Sequence, residues 1–206
     1  MPVCDNVIDE SLSENQISDL LYELDQNRQE IISWLMLVML YTGRRTGEIE
    51  KLHWTDIDCE RQEMTLRDTK SKDTQVIPFS DKVKQFFETM PHFHDKYVFP
   101  NKLGTQRNRS NNEAKDYLDH AGVPGNYRPT YCLRHTLALI AASNDIPDRI
   151  IKSLMGHKVR QAKRDITSRY AYVSKKSLLE AANILAIIFD RMNKKNDPIK
   201  VLQHSK

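Results

Sequence analysis

Cysteine is scarce in this chain and scattered through it. There are three, Cys4, Cys59 and Cys132, and no Cys-x-x-Cys pair. That excludes a disulfide frame and suits a reducing compartment. Long apolar runs are also missing. The most apolar stretch, residues 31–41, falls far short of the roughly 20 residues that a helical membrane span needs, so it reads as a buried helix. The first ten residues are acidic and lack the apolar core of a secretory signal. Internal repeats and low-complexity tracts are absent. Neither sign of charge dominates: a formal net charge of +3 permits nucleic acid as a partner without indicating it, so any such case must rest on local clusters. With these classes set aside, 206 residues at 39% hydrophobic and 29% charged describe one globular domain able to bury its own core. The expected location is the cytoplasm, in association with the nucleoid.

Residues 1–12 read as a lead-in. Ser13 and Gln16 form a capping-box pattern, and Ile17, Leu20, Leu21 and Leu24 mark one face of the helix that follows. Residues 29–41 are apolar almost all round and should form a core helix ended by Gly43. A short helix over residues 46–52 follows. Two strands are expected over residues 63–67 and 74–79, joined by a polar turn with Lys70 and Lys72, and Pro78 places the second at a sheet edge. Val83, Phe86, Phe87 and Met90 form the stripe of another helix. Residues 101–112 are a polar loop with Lys102, Arg107 and Arg109, and Ser110 is positioned to cap a helix ending near Gly122. In the helix over residues 130–143, Leu133, Leu137 and Ile140 form the buried stripe, while Tyr131 and Arg134 are surface neighbours on another face. Pro147 opens the next helix and Gly156 closes it. A last helix spans residues 174–192, and the tail from residue 193 is polar. The fold class is therefore mainly α with a small antiparallel β-sheet.

Five short stretches carry groups suited to phosphodiester chemistry: YTGRRTGEIE (41–50), the turn around Lys70, TYCLRHT (130–136), LMGHK (154–158) and ITSRYAYVS (166–174). Attack on a DNA phosphodiester builds negative charge on a crowded phosphorus, and catalysis is mostly positioning and charge stabilisation. Arg45 and Arg134 can clamp the non-bridging oxygens, because a guanidinium holds two oxygens and stays charged. A cationic site favours the phenolate of Tyr170, which can then form a covalent phosphotyrosine. Lys70 can protonate the departing sugar oxygen. No metal or other cofactor is called for.

These residues carry a resemblance to the tyrosine recombinases, the phage integrase family, over about residues 13–182. TGRRTGEIEKLHWTDID (42–58) resembles the family's first box and places its catalytic arginine on Arg45 and the partner acid on Glu48. DTKSKDTQVIP (68–78) resembles the hairpin with the catalytic lysine, on Lys70. CLRHT places the second arginine on Arg134, LMGHK the histidine on His157, and SRYAYVS the nucleophile on Tyr170. The resemblance implies a catalytic domain over residues 13–192 that cleaves and rejoins double-stranded DNA. It also implies a homotetramer on paired sites that is monomeric or weakly associated when free. The family's N-terminal core-binding domain is expected to be absent here. Two departures stand out. Tyr131 occupies the position where the family usually has histidine, and a phenol donates to phosphate but shuttles protons poorly near neutrality. His135 matches a different, mainly structural family position. In addition, residues 158–165 look longer than the usual link to the nucleophile and supply a basic arm of Lys158, Arg160, Lys163 and Arg164.

Plainer readings stand beside these. Either arginine alone would suit an ordinary ion pair. Lys70 could be a solvated turn residue, with Lys72 as its rival for the acid and as a backbone contact. Tyr172 is a weaker nucleophile than Tyr170, and Tyr131 divides between packing and phosphate contact. His92 and His94 with Asp95 lack a standard zinc spacing and read as loop histidines. Cys132 points away from Arg134. Lys102, Arg107 and Arg109 are a solvated loop or, second, a DNA-backbone contact. The alternative functions are a DNA-binding protein with impaired catalysis and a type IB topoisomerase-like enzyme.

Overall fold

The computed structural model describes residues 10–67, 74–156 and 173–193. The helices are α1 (Glu14–Gln26), α2 (Ile31–Thr42), α3 (Thr46–Ile49), α4 (Asp81–Thr89), α5 (Asn111–His120), α6 (Pro129–Ser143), α7 (Asp148–Leu154) and α8 (Lys175–Met192), and the strands are β1 (Ile57–Asp58), β2 (Glu63–Leu66) and β3 (Gln75–Pro78). The fold is mainly helical with one small antiparallel sheet, as the sequence indicated.

Helix α2 is the axis. Its sequence, IISWLMLVMLYT, contains no charge, and residues 32–41 are all buried. Such a helix is stable only when surrounded, and α1, α4, α6 and α8 pack against it. Gly43 ends it in the left-handed conformation (φ 62°) and turns the chain into Arg44 and Arg45. Helix α1 starts at the expected capping box, Ser13 with Gln16.

The sheet has the order β1-β2-β3, with Met64 of β2 opposite both Ile57 and Ile77. Sequence reading missed β1, which is too short for a period-2 pattern to register. Met64 and Leu66 point into the core, and Pro78 does lie at the end of an edge strand.

Two local expectations need correction. Ser110 precedes α5 but does not cap it with its side chain. Its N–H and hydroxyl both donate to Glu50 Oε1, at 2.8 and 2.7 Å, which ties the start of α5 to the turn after α3. On α6, Leu133, Leu137 and Ile140 are buried as expected, but Arg134 is not on the surface with Tyr131: it is 6% exposed. The reason lies outside the helix. Helix α6 packs against both α2 and α7, and backbone carbonyls at their ends receive the Arg134 guanidinium. No helix among the described residues is long and apolar enough to cross a membrane.

Candidate catalytic site

The site is built where four chain segments meet. Arg134 Nη1 donates to the carbonyls of Gly43, at 2.7 Å, and Met155, at 2.9 Å. One guanidinium thus joins the C-terminal ends of α2 and α7. Arg45 follows the Gly43 turn directly, and its Nη1 lies 3.1 Å from Glu48 Oε1 with the side chain 37% exposed. Glu48 also accepts from the Arg45 N–H, so α3 is closed by the carboxylate that holds the arginine.

Arg44 is the residue that sequence reading passed over. Its side chain is fully buried and paired with Glu48 at 2.9 Å. It also donates to the Leu154 carbonyl and to Gln75 Oε1 of β3. Its guanidinium fills the space beside Gly156 (φ 66°): a Cβ placed there would lie 2.1 Å from Arg44 Nη1. Position 156 therefore needs glycine for its backbone angle and for the close approach. The signal was present in the sequence as the second arginine of an adjacent pair, but periodicity could not say which of the two faces inward.

Three guanidiniums share Glu48 as an acid neighbour. Burial first, and then the charges of Arg45 and Arg44, push the Arg134 guanidinium down to about 10. Burial also lowers Arg44, with Glu48 opposing and Arg45 adding to the effect. A partly buried cluster with excess positive charge is a ready receptor for an anion, and planar guanidiniums match tetrahedral oxyanions.

One turn before Arg134 on α6, Tyr131 is partly exposed. Its hydroxyl lies 3.0 Å from His135 Nε2, and the Arg128 guanidinium lies 3.6 Å from its ring centroid. Arg128 Nε donates to both carboxylate oxygens of Glu10, at 3.0 Å each.

This geometry agrees with what the chain is similar to. The family model described as the phage integrase family matches residues 10–177. The chain belongs to the phage integrase family. A tyrosine recombinase XerC-like protein of Caldanaerobacter subterraneus is 26% identical over 222 residues, covering 86% of this chain but 55% of that relative. The chain thus spans about half the length of that relative. Among solved structures, XerA recombinase superposes with a TM-score of 0.62 at 19% identity, covering 96% of this chain and 67% of that one. Lambda integrase superposes as a dimer bound to a core site (TM-score 0.57, 16% identity, 76% and 61% covered). It also does so as a tetramer bound to a Holliday junction (0.53, 17%, 71% and 47%). At these identities the superpositions establish the fold.

Of the positions that the family resemblance singled out, Arg45 and Glu48 pair with each other, Arg134 is anchored on the Gly43 carbonyl next to Arg44, and Tyr131 lies one turn from Arg134 on α6. Lys70, Lys72, His157, Lys158, Arg160, Lys163, Arg164 and Tyr170 lie outside the described residues. Two described residues close in sequence to them adjoin Arg44: Gly156, which precedes His157, and Gln75, which lies three residues after Lys72. The basic loop divides. Lys102 and Arg109 are exposed, but Arg107 is 3% exposed, donates to the Pro100 carbonyl and pairs with Glu113. Its charge is committed to fixing the loop, so the backbone-contact reading does not apply to Arg107. Cys132 is fully buried and its thiol is pushed up to about 12, chiefly by burial, which suits packing rather than chemistry. His92 stacks on Trp54 at 4.0 Å, and His94 Nδ1 accepts from the Lys96 N–H.

Proposed function

We propose that this chain is the catalytic domain of a site-specific DNA recombinase, cleaving and rejoining strands through a 3′-phosphotyrosyl intermediate. The observation that carries the reading is the pairing of Arg44 and Arg45 with one carboxylate, Glu48, while Arg134 is anchored beside them by the Gly43 and Met155 carbonyls. Arg45 and Arg134 hold the non-bridging oxygens of one phosphodiester and stabilise the charge that grows at phosphorus. Arg44 is a positioning residue, fixing Glu48 and the turn at Gly156. Tyr170, having given its phenol proton to solvent, attacks phosphorus; the bond to the 5′ oxygen breaks and Lys70 gives its own ammonium proton to that oxygen. Rejoining is the reverse, with the 5′ hydroxyl attacking the phosphotyrosine. His157 and Tyr131 support the phosphate, while Lys72, Lys102, Arg109, Lys158, Arg160, Lys163 and Arg164 contact the backbone. No cofactor takes part, since the arginines supply the charge that a metal would. The family resemblance supports a homotetramer on two DNA sites, assembled from monomers or weak associations, and a cytoplasmic location at the nucleoid.

The test is relaxation of supercoiled plasmid at low salt, where phosphate-driven binding is strongest. The wild-type chain should relax the plasmid with chelator present, and Tyr170→Phe should not. Equal relaxation by both proteins would overturn the reading.

A further inference from the structure

The Tyr131 phenol departs from what the family resemblance implies at its position, and its surroundings explain how a phenol can serve there. On the C-terminal side, the His135 Nε2 lies 3.0 Å from the hydroxyl, and the two rings meet at 4.7 Å between centroids with a 46° tilt. On the ring face, Arg128 lies 3.6 Å from the centroid, held by the buried Glu10 carboxylate. Residues 128, 131 and 135 follow the i, i+3, i+7 spacing of one helix face, so α6 and its N-cap Arg128 present all three side chains on one side. The guanidinium and the imidazole thus fix the ring from two directions, and Arg134 is one turn away on the same helix.

We propose that His135 is a positioning residue acting through Tyr131, selecting the orientation in which the phenol donates its proton to a phosphate oxygen, with Arg128 holding the ring. This deepens the function proposed above and rests on it. The chemistry is a choice between two hydrogen-bond directions. If the phenol donates to His135 Nε2, its oxygen offers only lone pairs and repels an anionic oxygen. If His135 Nε2–H donates to the phenol oxygen, the phenol proton is left for the phosphate, giving the chain Nε2–H to O–H to phosphate oxygen. An arriving phosphate accepts only, so it selects the second arrangement. The neutral imidazole satisfies it as its Nε2–H tautomer, and no proton leaves the pair. Tyr131 then acts as a fixed donor rather than as a shuttle.

The experiment has two readouts on the whole chain. The first is the nitrogen NMR signals of the His135 imidazole in the free protein, wild type against Tyr131→Phe. They should shift in the variant because the ring loses its phenol partner. Unchanged signals would overturn the pairing. The second is affinity for a 30-base-pair duplex of arbitrary sequence at low salt, in a double-mutant cycle. His135→Leu should weaken binding about fivefold in the wild-type background and by less than about twofold in Tyr131→Phe, the loss expected of one hydrogen bond. His135→Gln, whose amide N–H can replace Nε2–H, should restore most of the loss. Equal losses in both backgrounds, or none in either, would overturn the inference and leave the recombinase reading standing. A wild-type chain that binds no duplex would instead overturn the recombinase reading, and the imidazole signals would then decide the pairing alone.

Discussion

Two basic regions of this molecule look alike in sequence and differ in structure. The pair Arg44 and Arg45 with Arg134 forms one; the loop with Lys102, Arg107 and Arg109 forms the other. In the first, Arg44 and Arg45 meet on Glu48 with Arg134 beside them on backbone carbonyls, and burial makes the charges of Arg44 and Arg134 harder to hold. In the second, the one buried cation, Arg107, has an acid of its own in Glu113, while Lys102 and Arg109 face solvent. Charge density along the chain does not distinguish these cases. What does is where the fold takes each cation: Arg44 and Arg45 meet on one carboxylate beside Arg134, whereas Arg107 is paired within its own neighbourhood. The first arrangement is the one proposed above to receive a phosphate.

The sharpest way to break this contrast is at Arg134. Arg134→Gln should lower plasmid relaxation by about a thousandfold, the scale of losing a transition-state charge contact. Arg107→Gln should leave relaxation within about twofold and act on unfolding by denaturant instead, because its bonds tie the loop to the Pro100 carbonyl and to Glu113 of α5. Comparable loss of activity in both would remove the distinction. Next in size is Gly156→Ala. The added methyl meets Arg44 at a positive φ, so the expected cost is on the order of 3 kcal/mol in urea unfolding. Arg44→Met in the same chain should relieve part of that cost, and a double mutant no more stable than Gly156→Ala would contradict the contact.

A pH titration separates the regions further. Folding places Arg134 at about 10, below its ordinary value. The folded state therefore loses this proton before the unfolded state does. The Arg134 contribution to stability rises with pH from about 10 up to the ordinary arginine value, while the charge that holds an anion is lost over the same interval. Affinity for a short duplex should accordingly fall as pH rises through about 10. Lysines that contact the backbone lose charge over the same interval, so Arg134→Gln should make that fall shallower rather than abolish it, and an unchanged fall would place the titration elsewhere. The smallest effect belongs to the solvent-facing cations. Lys102→Gln and Arg109→Gln should each lower the salt dependence of duplex binding by about one unit of slope, with little change in relaxation.

Much of this was legible in the sequence because the strong signals were local. The Ser13–Gln16 capping box, the uncharged run of α2 with Gly43 after it, and the stripe Leu133, Leu137 and Ile140 all encode structure within a few turns of chain. The burial of Arg134 was not legible, because it depends on carbonyls from Gly43 and Met155 that reach α6 only through the tertiary fold. Arg44 escaped for a similar reason: its partners Glu48, Leu154 and Gln75 come from three segments. Ser110 looked like a cap because its neighbours in sequence suggested one, and Glu50, sixty positions away, took its hydrogen bonds instead. The network around Arg134 and Arg44 therefore lay beyond what residue types and local spacing encode.

The central claim is that the arginine cluster holds a phosphodiester for attack by Tyr170. The most direct measurement is to incubate the wild-type chain with supercoiled plasmid at low salt, denature it, digest both components and find by mass spectrometry the peptide that carries a nucleotide. The account predicts a 3′-phosphonucleotide on Tyr170, lost in Tyr170→Phe and strongly reduced in Arg134→Gln. An adduct on Tyr172 or on any other residue, or one that survives Tyr170→Phe, would contradict it.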